Sequence, residues 1–282
     1  MTTANGLKAE GEAQVTLRRC WRNTVDAVVL VTRPQRIAGA LWPPSAQQTA
    51  IAAAVFVGAL VLMMFFVDAP VARDAAQLPH WVRWPFEQIT DFGKSGWILW
   101  PAGLLFLALA ALPSATTRLS RAAMAVLMVR VGFVFLAVGA PGLFVTTVKR
   151  MIGRARPMVD GGPHPLEFKP FIWQAAYASM PSGHATTVFS VVVALGTLWP
   201  RGRTVLWIYA LAIVASRIVV SAHYPSDVVA GAVVGTVGAL LVRRWFALRR
   251  LGFSLAPDGR VHQFPGPSRR RLKAVARDLL AP

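Results

Sequence analysis

The chain has 282 residues, 55% of them hydrophobic and only 15% charged, whereas a soluble domain carries about 25% charged residues. Its single cysteine, Cys20, excludes an intrachain disulfide framework. The formal net charge of +18 follows membrane topology rather than a nucleic-acid-binding face, as the distribution of basic residues makes plain.

The N-terminal segment, residues 1–47, is polar over its first 14 residues, so no cleavable leader is expected. Within it Leu17, Trp21, Val25 and Val28 share one helical face flanked by arginines. That pattern fits either an interfacial helix on anionic lipid or a solvated basic segment. A helix that crosses the bilayer needs roughly 20 mainly apolar residues, at about 1.5 Å rise each across about 30 Å of hydrocarbon. Six spans are predicted in the membrane domain, residues 48–245. They are 49–67, 96–112, 122–148, a fourth from the "PSGH" at 181–184 to Trp199, a fifth over 205–220 and a sixth over 226–242. The fold class is therefore all-α and polytopic. The connection 68–96 mixes charges with Trp81, Trp84 and Phe86, which suits anchoring at the outer interface or the border of a lipid access path. The basic tail, 246–282, repeats the amphipathic pattern at Leu272, Val275, Ala276 and Leu279.

Sidedness follows from lysine and arginine. Of the 30 such residues, 20 fall in the two terminal segments and in the connections after the second and fourth spans, all on one side of a six-span chain. Both termini are thus expected in the cytoplasm, in a bacterial-type inner membrane. Three polar clusters then lie at outer ends of spans: "KRMIGRARP" (149–157), "PSGH" (181–184) and "SRIVVSAHYPSD" (216–227).

The chemistry of these clusters is complementary. Lys149, Arg156 and Arg217 supply positive charge and N–H donors suited to a phosphoryl group. Ser182 and Gly183 stand where a helix begins, so free backbone N–H groups and the helix dipole favour an anion there. His184 and His223 can exchange protons near neutral pH, and Asp227 can accept the Nδ1–H of His223, leaving Nε2 to attack.

The ordered set resembles the three-part signature of the phosphatidic acid phosphatase type 2 superfamily, which includes bacterial lipid phosphatases and, more distantly, vanadium haloperoxidases. Lys149 is followed after six residues by Arg156-Pro157; Pro181-Ser182-Gly183-His184 is intact; Ser216-Arg217 is followed after five residues by His223 and after three more by Asp227. The resemblance covers about residues 45–245. It implies that fold's helical bundle and a lipid substrate met in the bilayer, with no metal or cofactor. It further implies that His223 attacks phosphorus to form a phosphohistidine, that Asp227 orients it and that His184 protonates the leaving group. Lys149, Arg156, Ser182, Gly183 and Arg217 would hold the phosphoryl oxygens. Phosphatidate, phosphatidylglycerophosphate, polyprenyl diphosphate and lipid A phosphate all remain open as substrates. A soluble phosphomonoester and, from another class, a lipid or ion transporter are the alternatives. The sequence is silent on oligomeric state.

Some polar residues have blander readings. Asp227, near a helix start, could serve as a cap. Arg150 and Arg154 are outer-loop charges, with Arg154 a candidate for headgroup binding. Arg130, inside the third span, is expected to snorkel or pair. Asp160, His164 and Glu167 lie in a glycine- and proline-rich stretch that reads as a shaped loop rather than a metal site, and "GAVVG" (231–235) reads as helix packing.

Overall fold

The computed structural model describes residues 2–111, 118–266 and 268–280. Each predicted span corresponds to a helix. These are α2 (Ala46–Phe66), α5 (Gly96–Ala111), α6 (Arg118–Ile152), α7 (Gly183–Leu198), α8 (Arg203–Val219) and α9 (Pro225–Leu248). They are preceded by α1 (Thr2–Thr32), and α3 (Asp68–Ala76) and α4 (His80–Thr90) fill the connection between the first two spans. Among the described residues, five helical stretches are long and apolar enough to cross a membrane. The fourth predicted span, α7, has 16 residues and is shorter than a full crossing. Its side chains explain why that suffices: Ala185, Val188, Val191 and Ala194 are buried among neighbouring helices rather than presented to lipid.

Two compact units make up the chain. The unit that carries the polar motifs draws on Ala40–Leu99 and Leu136–Val242. In it α2 begins at Ser45, whose hydroxyl accepts from the Gln48 N–H at 3.1 Å while the Gln48 side chain accepts from the Ser45 N–H at 2.9 Å. The flanks of α2 expose Ile51, Val55, Leu62, Phe65 and Phe66, as a lipid-facing surface should. The interior is built from Val138 of α6, Val188, Val191 and Val192 of α7, and Leu206, Ala210 and Ile213 of α8.

The predicted packing pattern at 231–235 is where α9 meets α7. A Cβ on Gly231 would stand 2.3 Å from the Ser182 carbonyl oxygen, and one on Gly235 would stand 2.3 Å from that of Thr186. Hydroxyls complete the seam: Thr186 donates to the Gly231 carbonyl and Ser190 to the Gly235 carbonyl, both at 3.1 Å. Lipid offers no hydrophobic drive for helices to associate, so close backbone approach and such bonds hold them together.

The other unit draws on Met1–Gly39, Trp100–Phe135 and Arg243–Pro282. Asn23 of α1 donates to the Ala110 carbonyl at 2.6 Å, and Trp245 donates to that of Val31 at 3.1 Å. Leu17, Trp21, Val25 and Val28 are all exposed along α1. The tail departs from the all-helical expectation locally. Phe253–Leu255 (β1) and Val261–Gln263 (β2) pair as an antiparallel hairpin, followed by α10 (Arg269–Leu280). The Asp258-Gly259 turn that closes the hairpin has Gly259 at φ +80. Strands of three residues are too short to register as a period-2 pattern. Phe253 packs edge-on to Phe133 at 4.8 Å, and Arg130 donates to the Phe264 carbonyl at 3.0 Å, so Arg130 pairs with the tail's backbone.

Candidate active site

Gly153 ends α6 in the left-handed region, at φ +65, where a Cβ would lie 1.8 Å from the Lys169 carbonyl oxygen. The chain then runs extended. Lys169 donates its N–H to Gly153 at 2.7 Å, Ala155 donates to Glu167 at 3.0 Å, and Arg156 donates to Ala176 at 2.8 Å. Extended backbone sends residues two apart to the same face, so Arg154 and Arg156 both turn inward. Arg156 is half-buried, and that burial is the main cause lowering its pKa from the usual guanidinium value. Lys149, in the last turn of α6, places its ammonium 4.0 Å from where a Cβ on Gly183 would stand.

Ser182 is the residue before α7, yet its buried hydroxyl makes no capping bond. It is held by backbone instead: its N–H donates to the Asp227 carbonyl at 2.9 Å. His184 follows in the first turn of α7, and a Cβ on Gly93 would meet its ring at 2.6 Å. Arg217, in the last turn of α8, donates from Nη1 to the Thr90 hydroxyl at 2.6 Å. Its carbonyl accepts the N–H groups of Ala222 and His223 at 3.1 and 3.2 Å, which folds the turn that brings His223 back over the helix end.

His223 is buried, with Nδ1 3.7 Å from Asp227 Oδ2, longer than a hydrogen bond, so the carboxylate acts on it chiefly through its charge. Burial pushes the imidazole pKa below its ordinary value, the Arg156 and Arg217 guanidiniums add to that, and Asp227 opposes it. A neutral imidazole is the form that can attack. Asp227 is fully buried. Its Oδ2 accepts the Ser179 hydroxyl at 2.6 Å and the Tyr224 N–H at 2.9 Å, while its Oδ1 accepts from Arg154 at 2.5 Å.

Arg154 differs from the expectation of a headgroup contact. It has no exposed surface and spans two acids, reaching Asp68 at 2.7 Å as well as Asp227. Its extended two-residue offset from Arg156 carries it deeper, beneath the site rather than into it. Arg150 lies 5.8 Å from the centre of the exposed Trp173 ring. In the loop, Glu167 and Lys169 pair with each other at 3.1 Å, and Tyr177 bonds to both.

The structure thus brings Lys149, Arg156, Ser182, Gly183, His184, Arg217, His223 and Asp227 to one end of the motif-bearing unit. Sequence reasoning did not find the residues behind them: Asp68, Thr90, Gly93, Ser179 and Ser226. Asp68 had a signal, being an acid set directly after the apolar run of the first span. Thr90 and Gly93 had none beyond lying in a polar break.

Five side-chain atoms of these residues are buried without a hydrogen-bond partner among the described residues: Arg156 Nε, Ser182 Oγ, His184 Nε2, Arg217 Nε and His223 Nδ1. Buried polar groups are normally satisfied, so their convergence marks a place for a ligand rich in acceptor oxygens.

The PAP2 superfamily profile matches residues 130–251. The lipid A 1-phosphatase of Rhizobium johnstonii is 36% identical over 228 residues, which is 80% of this chain and 92% of that protein. That of Rhizobium etli is 37% identical over 206 residues, 73% of this chain and 88% of the relative. The solved structure of Aquifex aeolicus LpxE aligns over 62% of this chain and 94% of its own at 20% identity, with a TM-score of 0.45. With all three motifs intact and full-length relatives matched at this level, the chain belongs to the PAP2 superfamily and is a multi-pass bacterial membrane phosphatase.

Proposed function

We propose that this lipid phosphatase removes a phosphate monoester from a saccharide-headed membrane lipid of the lipid A type, by way of a phosphohistidine and without a metal ion. The unpartnered buried polar atoms of Arg156, Ser182, His184, Arg217 and His223 are the observation that carries the reading of the reaction. The names of the two long-aligned relatives support the substrate class.

In this reading the phosphoryl oxygens lie between Lys149, Arg156 and Arg217, with the Ser182 hydroxyl and the N–H groups at the start of α7 completing the cradle. Neutral His223 attacks phosphorus through Nε2. The bond to the leaving oxygen breaks, and His184 gives that oxygen a proton. Water, deprotonated by His184, then releases inorganic phosphate and restores His223. Asp227 holds negative charge beside the imidazole as it becomes positive. The site faces the periplasm, both termini lie in the cytoplasm, and residues 48–245 form the catalytic domain between an N-terminal segment and a basic tail.

Phosphate release by the purified protein in detergent tests this. The substrates would be lipid A, phosphatidylglycerophosphate, phosphatidate and a soluble ester, each with and without chelator, beside His223→Ala. The reading expects chelator-resistant release from lipid A that vanishes in the variant. A preference for the soluble ester, or release that survives in His223→Ala, would overturn it.

A further inference from the structure

The pocket of charge behind His223 is unequal. Arg154 Nη1 donates to Asp227 Oδ1 at 2.5 Å and to the Ser226 hydroxyl at 2.7 Å. Its Nη2 donates to Asp68 Oδ2 at 2.7 Å, and its Nε donates to the Pro165 carbonyl at 2.9 Å. The guanidinium also covers the Tyr224 ring, 4.5 Å from its centre. Among the described residues, Asp68 receives donors only: Arg154, the Ser226 hydroxyl, and the Ser226 N–H at 3.0 Å. An oxygen pair met only by donors is a carboxylate. Two buried carboxylates therefore share one buried guanidinium, and one negative charge remains over.

We infer that Asp68 and Arg154 are a positioning pair for catalysis, in which Asp68 takes up the Arg154 charge so that Asp227 keeps its own for His223. This rests on the reading of His223 as the nucleophile. An uncompensated buried charge is costly unless a cation arrives beside it. When Nε2 bonds to phosphorus and the bond to the leaving oxygen breaks, the imidazole keeps Nδ1–H and becomes a cation 3.7 Å from Asp227 Oδ2. The charge left over is where that cation forms. Among the described residues, the other charged groups close to His223 work against it: Arg217 from α8 and Arg156 from the segment after α6, with His184 facing it from α7. Asp91, between α4 and α5, sits by His184 and Arg217 instead. With Asp68 neutral, the whole Arg154 charge would fall on Asp227 and nothing would offset those cations.

The experiment compares Asp68→Asn, Asp68→Glu, the double variant Asp68→Asn/Arg154→Gln and His223→Ala, all as full chain in detergent. It reads kcat, KM, the pH profile of kcat/KM and the unfolding temperature. Asp68→Asn is expected to lower kcat about tenfold, the low end of what outer-shell partners contribute in metal sites. KM should stay near wild type, and the acid limb should move to lower pH because the imidazolium loses support. Asp68→Glu keeps the charge and should keep the limb where it was. The double variant removes both opposing charges and should return the limb toward the wild-type position. Wild-type kcat and limb in Asp68→Asn, or a double variant whose limb is displaced as far as in the single, would overturn the inference. Should Asp68→Asn not fold, the limb in the double variant decides alone, at the wild-type position for the pair and displaced to lower pH against it. Residual hydrolysis by His223→Ala would refute the nucleophile reading, whereas an inactive His223→Ala beside an unaltered Asp68→Asn refutes the pair only.

Discussion

Ser182 and Asp227 are joined through their main chains, the N–H of one to the carbonyl of the other at 2.9 Å. The second and third motifs therefore keep their spacing whatever side chain stands at either position. The Ser182 hydroxyl caps nothing and has no partner among the described residues. Ser182→Ala should leave the unfolding temperature almost unchanged while kcat falls by about 10²–10³, the usual cost of one oxyanion donor. Equal losses of stability and rate would make the hydroxyl structural.

His223→Ala should abolish turnover, and Asp227→Asn should slow kcat by roughly 10²–10⁴ with little change in KM. The asparagine oxygen can still accept from Ser179 and the Tyr224 N–H, but its amide then turns N–H groups toward Arg154 Nη1, so some loss of unfolding temperature is expected as well. Single-turnover phosphate release separates the two effects, and an unaltered rate in Asp227→Asn would reduce this residue to a helix cap.

The imidazole of His223 is held below its ordinary pKa of 6.5, first by burial. The attacking form is the neutral one, so His223 sets the acid limb, where activity is lost as pH falls through the lowered value. The acid limb of kcat/KM should therefore lie below pH 6.5. Arg156→Gln removes a cation that depresses it and should move this limb to higher pH, even as phosphate binding weakens. A limb at or above the ordinary histidine value in the wild type would contradict a buried nucleophile.

Gly235→Val would drive a side chain into the Thr186 carbonyl, which is backbone and cannot give way. A loss of about 1–3 kcal/mol or more is expected, together with activity, because α7 carries His184. Gly58→Val is the control: a Cβ there meets nothing within 4 Å. Thermal unfolding in detergent should separate the two clearly; similar unfolding temperatures would mean that the helix seam yields.

Thr90→Val removes the acceptor for Arg217 Nη1. A buried guanidinium freed from its tether should raise KM several-fold more than it lowers kcat, since the Arg217 charge remains while its aim is lost. Steady-state kinetics on the preferred lipid check this, and an unchanged KM would show that Arg217 needs no tether.

Much of this was legible in the sequence because membrane helices announce themselves by length and apolarity, and all six expected spans have helical counterparts. The motif residues were legible because their ordered set across three polar breaks resembles the three-part signature of a known superfamily. What stayed hidden depends on distance along the chain. Asp68 stands 86 residues from Arg154, and Thr90 stands 127 residues from Arg217. A lone acid or threonine between apolar runs carries no mark of a partner that far away. Arg154 was visible but misjudged, because from sequence a buried ion pair and a solvent-facing arginine are written identically. The tail hairpin was hidden by brevity, its only clear signal being Asp258-Gly259.

The seam at Gly231 and Gly235 also limits what can move during turnover. With carbonyls of α7 lodged where side chains would be on α9, neither helix can slide or rotate along the other without a backbone collision. The two histidines are thus mounted on one rigid block. The helical connection 68–95 is fixed against the site as well, through Asp68 on Arg154, Thr90 on Arg217 and Gly93 beside His184, so the histidines are braced from both directions.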